Sequence, residues 1–262
     1  MIFLKLGGSL ITHKSKPNSA RLDVISRIAA EIKDARTNDP QLSVLIGHGS
    51  GSFGHPPAHR HHTHRGAHSE DDWRGFVEVW LAANLLNRIV VDAFVKADLD
   101  AISLPPSSST ISENGQIMKM HVEPIRAALD AGLLPIIQGD AGFDTIQGST
   151  ILSTETIFKF IIPQLEPSLI LLAGREAGVY GDYPNSEEVL ASISAKEFRK
   201  LNIRAAKDVD VTGGMASKVS DALAMCKALP GLRVRIFSGE QAGSIVRALQ
   251  GEALGTLIQE DR

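Results

Sequence analysis

With 262 residues, 43% of them hydrophobic, the chain has enough apolar material for a full core, and a single unit spanning residues 1–262 is expected. A net charge of −3 offers no broad basic field, which argues against nucleic acid and makes the chemistry local. One cysteine, Cys226, excludes a disulfide framework; without a basic leader with its cleavage site or a bilayer-length apolar run, a cytoplasmic protein with no membrane partner is expected.

The apolar run Ile2 to Leu6 predicts a buried strand broken by Gly7-Gly8-Ser9. Lys5 lies just before that turn. A lysine in an apolar strand is costly unless its ammonium meets an anion, so Lys5 is a candidate phosphate ligand. Lys14 follows in a polar loop. Leu22, Ile25, Ile28, Ala29 and Ile32 keep helical spacing and lead to a strand at Ser43 to Gly47. Strand, helix and strand together imply a parallel pair.

That second strand releases into Gly47-His48-Gly49-Ser50-Gly51-Ser52-Phe53-Gly54-His55. Glycines let backbone N–H groups approach an oxyanion, and His55 can donate a hydrogen bond or carry charge near neutral pH. A phosphate-bearing substrate is expected here. Gly49, Gly51 and Gly54 also satisfy G-x-G-x-x-G, but a dinucleotide site needs a helix opening at once and an acid ending a second strand about twenty residues on. Pro56 and Pro57 argue against that helix, and Glu70, Asp71 and Asp72 lie in a polar run.

From His48 to His68 the chain holds seven of its nine histidines. They lack cysteine partners and zinc-binding spacing, and Arg60 and Arg65 are interleaved, so a solvated, mobile lid is expected and no metal ligand is assigned. Phe76, Val79, Trp80, Ala83, Leu86, Val90 and Phe94 form a helical stripe up to a strand at Ala101 to Leu104. The first turns of that stripe follow the phosphate loop, so Phe76, Val79, Trp80 and Ala83 can wall an apolar pocket.

Asn114-Gly115 predicts a hairpin between Thr110 and Met120. A helix from Val122 to Ala131 ends at Gly132, and a strand from Leu133 to Gln138 opens into Gly139-Asp140, with Asp144 close behind. A carboxylate just past a parallel strand lies on the ligand-bearing edge, or else forms a turn. Ser153 caps a helix reaching Ile161, with Glu155 in its first turn. Leu169 to Ala173 is a further strand, running into Gly174-Arg175-Glu176-Ala177-Gly178-Val179-Tyr180. The polar region through Asn185, Lys196, Lys200 and Lys207 either covers a ligand or is plain surface. Thr212-Gly213-Gly214 opens a helix through about Leu229. Its N-terminal amides favour anions, and Lys218 sits in its first turns. Arg233 to Phe237, Gln241 to Gln250 and Thr256 to Ile258 complete the chain as strand, helix and closing edge strand.

The ordered set Lys5-Leu6-Gly7-Gly8-Ser9, Gly-Ser-Phe-Gly-His ending at His55, Gly139-Asp140, and Asp210-Val211-Thr212-Gly213-Gly214-Met215 with Lys218 resembles the amino acid kinase family from end to end. The histidine-ending element is most similar to its isopentenyl phosphate branch. The resemblance implies an α/β fold: a three-layer αβα sandwich with an open, mainly parallel central sheet. It further implies ATP with Mg²⁺, a homodimer, and conversion of isopentenyl phosphate to isopentenyl diphosphate in isoprenoid biosynthesis. By the same matching, Lys5, Gly7, Gly8, Ser9, Gly51, Gly178, Gly214 and Lys218 fall on the nucleotide. Ser50, Gly54, His55, Gly139 and Asp140 fall on the acceptor phosphate, with Phe76, Trp80 and Ala83 along its tail. His55, Lys5, Lys218 and Lys14 are the catalytic candidates. A related phosphate or phosphonate kinase, such as a fosfomycin kinase, or a nucleotide-binding protein with reduced turnover is the alternative. The chain departs from the family at Ser153-Thr154-Glu155, where Ser-Gly-Asp is usual, and at Gly174-Arg175-Glu176, which alters the nucleoside side.

Overall fold

The computed structural model describes residues 1–181, 188–199 and 214–261. Asn185, Lys200, Lys207 and the Asp208 to Gly213 half of the second glycine motif lie outside them. The first half of the chain forms β1 (Ile2–Leu6), α1 (Gly8–Ile11), α2 (Leu22–Asn38), β2 (Val44–His48), α3 (Gly51–Arg60), α4 (Glu70–Lys96) and β3 (Ala101–Ser103). Next come β4 (Thr110–Glu113), β5 (Gln116–Met120), α5 (Glu123–Asp130), β6 (Leu134–Gln138), β7 (Asp140–Asp144) and β8 (Gly148–Leu152). The remainder is α6 (Thr154–Leu165), β9 (Leu169–Gly174), β10 (Ser192–Ile193), α7 (Ala195–Phe198), α8 (Gly214–Ala228), β11 (Arg233–Ser238), α9 (Ser244–Leu249) and β12 (Thr256–Ile258).

Eight strands form the main sheet in the order β10-β12-β11-β9-β1-β2-β6-β3. Its ladders are parallel except where β12 runs against β11. β1 pairs with β2 on one side and β9 on the other, so the chain changes winding direction at β1. In an open α/β sheet the crevice at such a switch point, outside the carboxyl ends of the strands, is where ligands bind.

Alternation along the strands sorts side chains into two cores. Leu4, Leu6 and Ile46 pack on one face with α2, α4 and α9, whereas Phe3, Leu45 and Ile137 pack on the other with α5, α6 and α8. Period-two geometry therefore puts Lys5 on the face of α6 and α8, and His48 on the face of α4.

Four sequence expectations change. Gly51–Arg60 is a helix despite Pro56 and Pro57. Pro56 and Pro57 lie past the first turn and deprive the Ser52 and Phe53 carbonyls of their i+4 donors, but the Asn18 N–H serves the Ser52 carbonyl at 3.0 Å, and buried Phe53 anchors the segment in the α2/α4 core. The dinucleotide reading still fails, because Glu70, Asp71 and Asp72 form the first turn of α4 rather than a strand end. The histidine run is solvated at His59, His62, His64 and His68 but tethered elsewhere: His61 and Arg60 both bind Glu78, Gly75 lies under the His61 ring, and the Ala67 N–H donates to the Gln147 carbonyl at 2.8 Å. Beyond the Asn114-Gly115 hairpin, β7 and β8 complete a second sheet ordered β5-β4-β7-β8. Finally, β12 is internal, flanked by β10. Among the described residues no helix is long and apolar enough to cross a membrane.

Candidate active site

Two glycine turns meet at the carboxyl ends of β1 and β2. The Gly49 N–H donates to the Leu6 carbonyl at 3.1 Å, which draws the turns together. A Cβ on Gly8 would lie 2.6 Å from the Gly51 Cα and amide nitrogen; Gly51 itself sits at φ +48°, and a Cβ on it would lie 2.3 Å from Thr12 Oγ1. Backbone therefore touches backbone. The amides of Gly8, Ser9, Ser50 and Gly51 have no acceptor among the described residues, so they are available to phosphate oxygens.

Lys5 projects from β1 beneath this contact and forms an ion pair with Glu155 in the first turn of α6. Ser153 caps α6, accepting from the Thr156 N–H at 3.0 Å, and thereby sets the height of Glu155. Gly47 allows α6 to come this close: a Cβ there would lie 2.5 Å from Thr154 and 2.7 Å from Phe158. Burial pushes the Glu155 carboxyl up, but the Lys5 ammonium, its hydrogen bond and the charge of Lys218 outweigh it, leaving a net lowered pKa. Asp221, one turn further along α8, is raised by burial and then by repulsion from Glu155. Lys5, Glu155, Lys218 and Asp221 are thus one electrostatic cluster contributed by β1, α6 and α8. The longer carboxylate at Glu155 still reaches the lysine that a shorter acid would have to serve.

On the other side of the glycine contact stands α3. Helical side chains lean toward the helix N-terminus, which aims half-buried His55 back toward the Ser50 and Gly51 amides one turn earlier. Ala58, three residues on, shares that face and packs with Phe76, Val79, Ala141 and Ile151 as a small apolar cluster. Ala83 is buried as well, while Trp80 is 37% exposed and donates from Nε1 to Ser107 Oγ at 3.1 Å. An apolar wall therefore begins next to His55.

Several assigned residues take other roles. Gly54 donates its N–H to the Ser50 carbonyl at 3.3 Å, and a Cβ on it would lie 2.4 Å from Ser50 Oγ, so this glycine makes room for the serine. Asp140 accepts from the Ser107 and Ala141 N–H groups at 3.2 and 2.9 Å, so both oxygens help to support the site wall. Gly178 is buried, and a Cβ on it would lie 2.5 Å from Val189 and 2.7 Å from Thr256, so it lets these elements pack. Asp144 accepts from the N–H groups of Asn114, Gly115, Ile146 and Gln147, clasping two hairpin turns. Lys14 is exposed in a loop closed by the Thr12 and Ala20 bridge, and the Asn18 N–H of that loop donates to the Ser52 carbonyl at 3.0 Å. Gly7 and Gly139 sit at strand ends, donating to the Ala173 and His48 carbonyls, each at 2.8 Å. Gly214 opens α8 at φ +68°. Arg175, at the altered nucleoside side, pairs with Glu240 at 3.0 Å, and Arg21 holds the same carboxylate at 2.7 and 2.9 Å.

Sequence reasoning missed His48 and Asn87, which are buried and hydrogen-bonded to each other at 3.1 Å. The available signal was a polar residue, Asn87, beside Leu86 and Val90 in an otherwise apolar stripe.

The sequence model of the amino acid kinase family matches residues 1–238. Isopentenyl phosphate kinase of Methanocaldococcus jannaschii is 31% identical, with 98% of each chain covered. The isopentenyl phosphate kinase of Methanothermobacter thermautotrophicus is 32% identical at the same coverage of both chains. Among solved structures, an isopentenyl phosphate kinase superposes with a TM-score of 0.84 at 30% identity, covering 99% of this chain and 100% of that one.

Proposed function

The chain belongs to the amino acid kinase family, and on that premise we propose that it transfers the γ-phosphoryl group of ATP to isopentenyl phosphate, giving isopentenyl diphosphate. The observation that carries this reading is the convergence of Lys5, Glu155 and Lys218 beside the Gly8 and Gly51 backbone contact. Relatives of full-length coverage that are named isopentenyl phosphate kinases support the choice of acceptor.

Phosphoryl transfer depends on alignment and charge compensation more than on covalent help. An acceptor oxygen that is already anionic attacks the γ-phosphorus while the bond to the bridging oxygen of ADP breaks, so no general base is needed. His55 and the Ser50 amide hold the acceptor phosphate. Lys5 and Lys218, with the Gly8, Ser9 and Gly51 amides, hold the nucleotide phosphates and offset charge on the migrating group. Gly7, Gly139 and Gly214 shape the floor, and Lys14 adds a cation from its loop. Phe76, Val79 and Ala83 receive the apolar tail, with Trp80 at the outer rim.

Glu155 and Asp221 are the described carboxylates facing Lys5, and burial, then repulsion from Glu155, raises Asp221. Such hard oxygen donors fit Mg²⁺, which would be held by Asp221 and by the nucleotide itself, and which supplies charge neutralisation when bound. Trp73, Val77, Leu81 and Leu85 form an exposed apolar row at four-residue spacing on α4, which supports a homodimer through that face. Light scattering on the purified chain and on Leu81→Asp tests this: a monomeric parent overturns it.

Coupled ADP release with isopentenyl phosphate, dimethylallyl phosphate, fosfomycin and UMP tests the activity. Turnover should be greatest with isopentenyl phosphate; a preference for fosfomycin or UMP, or ATP binding without any product, would reject the assignment.

A further inference from the structure

His48 is the last residue of β2, and alternation turns its ring away from Lys5 and onto α4, where it is fully buried. A buried imidazole is held only if both ring nitrogens are satisfied. Ser103 at the end of β3 donates its hydroxyl to Asn87 Oδ1 at 2.6 Å, which leaves the Asn87 amide N–H for His48 Nε2 at 3.1 Å. Nε2 is therefore the acceptor, and the ring proton resides on Nδ1. Nδ1 in turn lies 3.2 Å from the Gly49 carbonyl oxygen, to which it donates.

The consequence follows from peptide geometry. Carbonyl and N–H of one trans peptide point in opposite directions. The Gly49 carbonyl is tied to His48 on the α4 side, so the N–H of the same peptide, carried by Ser50, faces away from that layer. Glycine at position 49 offers little resistance to a flip of this peptide, and the Ser50 side chain makes no capping bond that would oppose one.

We propose that His48, locked as the Nδ1–H tautomer by Asn87 and Ser103, is a positioning residue that keeps the Ser50 N–H aimed into the phosphate site. The inference rests on the phosphoryl-transfer reading for its kinetic consequence but not for its tautomer. Burial drives the His48 pKa down to about 4, so the ring stays neutral across the working range and its single N–H is not shared with a second proton.

The test uses the full chain and three variants. His48→Asn places an amide N–H where Nδ1–H stands, His48→Leu keeps the bulk without a donor, and Asn87→Leu releases the tautomer. In steady-state assays with ATP, His48→Leu should lose at least tenfold in kcat and raise the KM for isopentenyl phosphate, with the KM for ATP little changed. His48→Asn should stay within about threefold of the parent, and Asn87→Leu should fall between them. A folded His48→Leu with unchanged kcat and KM overturns the proposal, as does equal loss in the Leu and Asn variants. ¹⁵N NMR of the histidine rings gives an independent reading: the parent should show a persistent Nδ1–H signature for His48 down to pH 5, and an Nε2–H signature overturns the assignment even if a variant fails to fold. Should the parent fail to phosphorylate isopentenyl phosphate, the proposed activity falls, while the NMR result still decides the tautomer.

Discussion

Gly8 and Gly51 touch through their backbones: a side chain on the first would start 2.6 Å from the main chain of the second. This contact brings the ends of β1 and β2, and the free amides of both turns, to one place. Gly8→Ala must push the turns apart, since no flexible side chain can yield. A shift of about 1 Å in a phosphate site is worth on the order of 100-fold in rate. We expect kcat/KM to fall by that order and stability by roughly 1–3 kcal/mol, as in other overpacked sites. Kinetics paired with thermal melts would check it, and near-parent kinetics would show that the contact is not needed.

Glu155 restrains the Lys5 ammonium from α6, 150 residues away in the chain. Glu155→Gln removes the charge without the bulk. The expected result is a fall in kcat of about tenfold or more with ATP affinity retained or improved, because an unrestrained ammonium can bind ground-state phosphates without being aligned on the transition state. Calorimetric ATP binding and single-turnover rates separate the two effects; weaker ATP binding with unchanged kcat would contradict it.

His55 is expected to hold the acceptor rather than the fold, since it is only half-buried on α3. His55→Ala should lower kcat at least tenfold, about 1.4 kcal/mol or more of transition-state stabilisation, while the melting temperature stays close to the parent's. An unaltered kcat would remove His55 from the mechanism.

His48 links stability to pH. Burial holds its pKa at about 4, against 6.5 in the unfolded chain, so between those values the unfolded state binds the extra proton. Its contribution is complete above pH 6.5 and is lost as pH falls toward 4, amounting to roughly 3 kcal/mol over the window. Urea titrations at a series of pH values from 7 to 4.5 should show the parent losing stability more steeply than His48→Asn. Parallel curves would mean that the imidazole takes up its proton as readily in the folded chain as in the unfolded one.

Local signals in the chain were sufficient for most of its elements. Apolar runs such as Ile2–Leu6 and Leu169–Gly174 can only be buried strands, helical spacing marks α2 and α4, and Asn114-Gly115 demands its turn because both residues need positive φ, observed at 48° and 75°. Gly8, Gly51 and Lys5 were legible as phosphate chemistry for the same reason: glycine-rich turns after apolar strands, and a charge inside one of them, are costly unless used. Other features were settled by tertiary packing alone. Asp140–Asp144 and Gly148–Leu152 become strands because they pair with one another and with β4, a choice no local preference dictates. Strand register decides that Lys5 meets Glu155 and that His48 meets Asn87, since a one-residue slip would exchange the faces. Gly178 makes the same point: only the approach of Thr256 and Val189 shows why no side chain fits at that position.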